Sequence, residues 1–144
     1  MKFINFSLFI LLLNNPLNCT CVYNVNTDYY NFDTIFRAEV LSVSYLNSNK
    51  YNQKAKLKIT KVYKGNPTST IITVEGGCST PKLISNKEWI FFTSNKNNTQ
   101  TLKSCNPSIS LYPKSFIENQ PKRLKIWKLR LERNLKLLDS LSRN

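Results

Sequence analysis

Hydrophobic and polar positions alternate in the middle of the chain and turn helical at its end. Asp33–Tyr45 alternates, with Phe36, Ala38 and Val40 on one face and Ile35, Arg37 and Glu39 on the other, as a long strand does. Asn47–Asn52 has the composition of a turn. Lys54–Lys64 alternates again, Ala55, Leu57 and Ile59 inward and Lys54, Lys56 and Lys58 outward. Its phase blurs at Lys61-Val62-Tyr63, and Gly65-Asn66-Pro67 ends it. Thr68–Glu75 is β-branched and strand-like up to Gly76-Gly77-Cys78. Glu88–Thr93 is a short apolar strand with Trp89, Ile90, Phe91 and Phe92, and Asn95–Asn98 is a hairpin turn into a fifth strand, Thr99–Cys105. The polar stretch Tyr23–Asn31 reads as turns or one short helix. Five strands joined by short turns, with no strand–helix–strand alternation, predict a mainly β domain. A small closed barrel suits them, because closure removes exposed strand edges.

From Gln120 the period changes. Pro121 fits the first turn of a helix. Leu124, Trp127, Leu131, Leu135, Leu138 and Leu141 recur every three or four residues as one stripe, Ile126 and Leu137 widen it, and Leu129 lies outside it. Lys122, Lys125, Lys128, Arg133, Lys136 and Arg143 gather on the other side. Such a basic amphipathic helix of about six turns either packs on the barrel with a solvated basic face or docks on an anionic surface or partner. At the other end, Met1-Lys2 and the apolar run from Phe3 to Leu13 have the layout of a secretory signal, too short to span a bilayer. The expected division is a signal over 1–18, a barrel over 19–112, and a linker with the helix over 113–144.

Charge and cysteines sharpen this outline. The chain of 144 residues carries a net charge of +13, and residues 120–144 hold eight basic and two acidic side chains. Histidine is absent, acids are scattered singly, and no glycine-rich phosphate loop occurs, which argues against an enzyme and against a bound cofactor. Four cysteines behind an export signal predict two disulfides and a secreted or periplasmic protein. Cys19 and Cys21 are one residue apart and do not bond to each other, so each pairs with Cys78 or Cys105, in either of two ways. The spacing fits no common zinc site. Small residues are wanted before a signal cleavage point, and Pro16 and Asn18 stand there instead. The same lack of a small residue argues against a lipid anchor on Cys19.

Taken together, Cys19-Thr20-Cys21-Val22 after a signal, Asp33-Thr34-Ile35-Phe36-Arg37-Ala38, and Lys58-Ile59-Thr60-Lys61-Val62-Tyr63-Lys64-Gly65 resemble the N-terminal domain of the tissue inhibitors of metalloproteinases (TIMPs), and more broadly the netrin-like domains. The likeness runs from about Cys19 to Tyr112. It implies a five-stranded OB-fold-like barrel with Cys19 bonded to Cys78 and Cys21 to Cys105. The chain lacks the extra cysteine that usually follows the Cys-X-Cys, having Tyr30, Asn31 and Phe32 in that region, and lacks the six-cysteine second domain. It is closer to the short, single-domain TIMP-like proteins.

The resemblance also implies a mechanism. A catalytic zinc keeps one position open. The α-amino nitrogen and carbonyl oxygen of a mature N-terminal Cys19 would chelate the zinc of a target protease, with no metal bound by this chain itself. Thr20 would enter the specificity pocket, with Cys21 and Val22 along a ridge and Glu75, Gly76, Gly77, Cys78 and Ser79 beside it. The chelate requires that nothing precede Cys19. In the alternative, Cys-X-Cys only staples the chain start, and an exported basic module binds acidic glycans or an anionic membrane surface through Lys54, Lys56, Lys58, Lys122, Lys125, Lys128, Arg133 and Lys136. Export argues against nucleic acid as the polyanion. Either way a monomer is expected.

Overall fold

The computed structural model describes residues 21–46, 52–77, 80–96, 99–103 and 105–143. The expected signal, Cys19, Thr20, Cys78, Ser79, most of the Asn47–Asn52 turn and the tip of the Asn95–Asn98 turn lie outside them. The protein is mainly β. Helix α1 (Val25–Asn31) precedes strands β1 (Thr34–Tyr45), β2 (Gln53–Lys64), β3 (Ile71–Val74), β4 (Glu88–Lys96), β5 (Thr99–Leu102) and β6 (Ser108–Ser110). A short helix α2 (Ser115–Glu118) and the long α3 (Pro121–Leu141) end the chain.

The strands follow the order β1-β2-β3-β5-β4, and β4 pairs back onto β1, which closes a five-stranded barrel of the OB type. All pairings are antiparallel except β3 with β5. Along β4, residues Glu88–Thr93 pair with β1, while its other edge takes β6 and then β5. On the β1–β4 seam, Arg37 makes an ion pair with Glu88, and this hydrogen-bonded carboxylate raises the guanidinium pKa above its usual value.

Alternation sorts the apolar side chains into two cores. Phe36, Ala38, Val40, Ala55, Leu57, Ile72, Val74, Trp89, Phe91 and Leu102 fill the barrel interior. The opposite face of the same strands turns Ile35, Ile90 and Phe92 outward, where α1 and the end of α3 cover them with Val25, Tyr29 and Leu138. The unbroken apolar run Trp89–Phe92 is therefore buried on both sides. The blurred phase of β2 has a cause as well. The β1–β2 register shifts between Ile35 and Phe36 and between Arg37 and Ala38. These bulges turn Tyr63 to the outer core, where it is 5% exposed.

Expectation and structure differ in several places. The third strand is shorter than Thr68–Glu75, the fourth runs on to Lys96, and the fifth ends at Leu102 rather than Cys105. The elements β6 and α2 did not stand out in the sequence, being three and four residues long. Within α3, Leu138 is buried and Leu135, Leu137 and Leu141 pack on the outer core. Ile126, expected to widen the apolar stripe, is instead 51% exposed, and Leu129 is 57% exposed.

Candidate functional site

The barrel end beside the cysteines is built by the parallel β3–β5 pair. Val74 lies opposite Leu102, and the Glu75 amide donates to the Leu102 carbonyl at 2.8 Å, so the segments following both strands leave the barrel side by side. One is Glu75-Gly76-Gly77. The other reaches Cys105 within three residues, in a tight turn where the Asn106 amide donates to the Lys103 carbonyl (3.1 Å) and Cys105 takes a φ of 65°. Cys105 is bonded to Cys21, with Cα atoms 5.4 Å apart across 84 positions of sequence. The start of the described chain is thus fastened next to the Glu75–Gly77 segment.

Each arm of this end is held from the barrel. Asn52, just before β2, accepts the Gly76 amide on its Oδ1 at 2.6 Å. Gly77 offers its carbonyl to the Thr80 hydroxyl (2.7 Å) and amide (3.4 Å). Buried Gln53 then pins the following loop, its Oε1 accepting the Leu83 amide at 3.0 Å and its Nε2 donating to the Pro81 carbonyl at 3.4 Å. Val22 is 90% exposed, and Glu75, Gly76 and Gly77 are exposed. Of the expected ridge residues, Cys21, Val22, Glu75, Gly76 and Gly77 are accordingly brought to one barrel end. Cys19, Thr20, Cys78 and Ser79 are outside the described residues.

A second set of contacts fixes the segment after Val22. Asn24 caps α1, its side chain accepting the Asn26 amide, while Asp28 accepts the Asn24 amide at 2.9 Å. At the far end of α1, the Lys64 ammonium donates to the carbonyls of Tyr29 (2.8 Å) and Phe32 (2.7 Å), so a cation closes the helix C-terminus. The Tyr29 hydroxyl lies 3.1 Å from the Tyr63 carbonyl and 3.2 Å from that of Leu141, a donor shared between β2 and α3. These holding roles for Asn52, Gln53 and Lys64 have no signature in sequence spacing. Tyr23, between the ridge and α1, lines two clefts, one of about 570 Å³ against α3 and one of about 850 Å³ below Trp89 and Tyr112. Burial, and then Asp28, push the Tyr23 hydroxyl pKa up.

The basic residues of the alternative fall into two groups. Lys54, Lys56 and Lys58 project as an exposed row from β2, with Lys58 paired in register with Glu39. Lys122, Lys125, Lys128, Arg133 and Lys136 are exposed on α3, with Lys136 bound to Glu132 at 2.8 Å. The helix meets β2 through the Lys61–Asp139 ion pair near its end. No cluster of three or more potential metal-ligating His, Cys, Asp or Glu side chains occurs among the described residues. No protein-family model matches the chain, and no curated protein matches it significantly.

Proposed function

We propose that the protein is an exported, TIMP-like inhibitor of zinc metalloproteases. The observation that carries this reading is the Cys21–Cys105 bond, which fastens the chain start beside Glu75–Gly77 and leaves Val22 bare. An inhibitor that presents its own N-terminus needs that terminus ordered before binding, because ordering it afterwards costs affinity. In this mechanism the mature chain starts at Cys19. Its uncharged amine and its carbonyl oxygen take the open coordination positions of the protease zinc and displace water, and Thr20 fills the adjoining pocket. An α-amino group titrates near ~8, so inhibition weakens as pH falls below that value and the amine protonates.

The deciding experiment is the N-terminal residue and intact mass of the protein recovered from its host, followed by zinc-protease assays of that material. Inhibition by a chain starting at an unmodified Cys19 supports the reading. One extra alanine before Cys19 should weaken it by at least about a hundredfold, the equivalent of ~2.7 kcal/mol. A blocked Cys19, or inhibition indifferent to the extra residue, sinks it. The exposed row of Lys54, Lys56 and Lys58 favours a second reading, an acidic-glycan module, which survives a blocked N-terminus and loses affinity steeply with salt.

A further inference from the structure

Helix α3 is attached to the barrel by its second half, and its first half offers an apolar feature on the side facing away. Leu129 lies nine residues before Leu138, about 180° around the helix from the buried contact. It is 57% exposed, and Ile126, one turn earlier, is 51% exposed. Lys122, Ile126, Leu129 and Lys136 follow one another at helical spacings along one stripe of the helix surface, while Arg133 beside them lines the cleft toward Asp28 and Phe92. Lys125 flanks it. Among the described residues, Lys122 and Lys125 have no ion pair, and the acidic Glu132 is occupied by Lys136.

We propose that this stripe docks the protein on an anionic lipid bilayer, the helix lying in the interface with Ile126 and Leu129 inserted and the surrounding cations against the headgroups. Charge complementarity selects the negative surface. The two aliphatic side chains select lipid over an acidic polysaccharide, which has no apolar interior to receive them. The helix lies on the membrane rather than crossing it, since no helix among the described residues is long and apolar enough to span. With only two inserted side chains, attachment is reversible and sensitive to salt. This role is independent of zinc chelation, because the stripe is on a different element from Cys21 and Val22.

The test is co-sedimentation of the secreted protein with vesicles of phosphatidylcholine alone or with phosphatidylserine added. Binding should be at least about tenfold stronger with phosphatidylserine and should be released by salt. The variant Ile126→Ser/Leu129→Ser should bind those vesicles at least about fivefold more weakly, with unchanged circular dichroism and melting temperature, because both side chains are already exposed. Equal binding to both vesicle types, or no binding, overturns the proposal. Unchanged binding by the double variant overturns it too, since the cations would then act alone, as they would on an acidic glycan.

Discussion

Gly65 has a φ of +67°, and a Cβ built there would stand 2.3 Å from the Asp33 carbonyl oxygen. Alanine at this position therefore meets both a left-handed backbone and a clash with main chain that has little room to move. Gly65→Ala should destabilise the protein by about 2 kcal/mol or more, read as a lower urea midpoint with an unchanged slope. The sequence marks this glycine as a strand breaker, but the nearness of Asp33, two strands earlier in the chain, depends on the β1–β2 register. Tyr63 is another residue whose role depends on the fold. Burial chiefly raises its hydroxyl pKa, and the same holds for Tyr112. The folded state thus holds the phenol protonated where the unfolded chain, near ~10, has begun to ionise. Their contribution is complete below that value and is lost as pH rises through the higher folded pKa values. Tyr63→Phe should accordingly show a shallower fall in urea midpoint above pH ~10 than the parent.

Among the elements, α3 has one sequence pattern and two environments. Leu138→Ala should cost about 2–4 kcal/mol, because it opens a cavity between Ile35, Tyr63 and Phe92. Leu129→Ala should stay within about 0.5 kcal/mol of the parent. Chemical denaturation of the two variants side by side checks both values. The helix, its proline start and its stripe were legible because a period of three to four persists over twenty residues. Which half docks was not, since Leu124 and Leu131 look like Leu135 and Leu138 in sequence. The partner surface is Ile35, Ile90 and Phe92, and its only trace is that Trp89–Phe92 fails to alternate. A three-residue strand such as Ser108-Ile109-Ser110 is too short for any period to register. It exists because β4 offers it an unpaired edge.

At the level of the whole molecule, barrel closure was readable from strand count and short turns, and the candidate site only in part. Counting cysteines left two pairings open. What decides for Cys21 is its bond to Cys105, across 84 positions of sequence, and such long-range pairing leaves no local pattern. Replacing Cys21 and Cys105 by alanine frees a loop spanning 84 positions. It should remove about 4 kcal/mol and lower the melting temperature by roughly 10–20 °C, measured by differential scanning calorimetry. The bridge from the Tyr29 hydroxyl to the Leu141 carbonyl joins residues 112 positions apart and has a different kind of consequence. A growing chain makes Ile35 long before Leu138, so the outer layer has only α1 as cover until the second half of α3 has been made. A product stopped before Leu135 would carry a complete set of barrel strands with Ile35, Ile90 and Phe92 only partly covered, by α1. It would be sticky, protease-sensitive and readily recognised by quality-control factors. The second half of α3 thereby acts as a check that synthesis has passed through it.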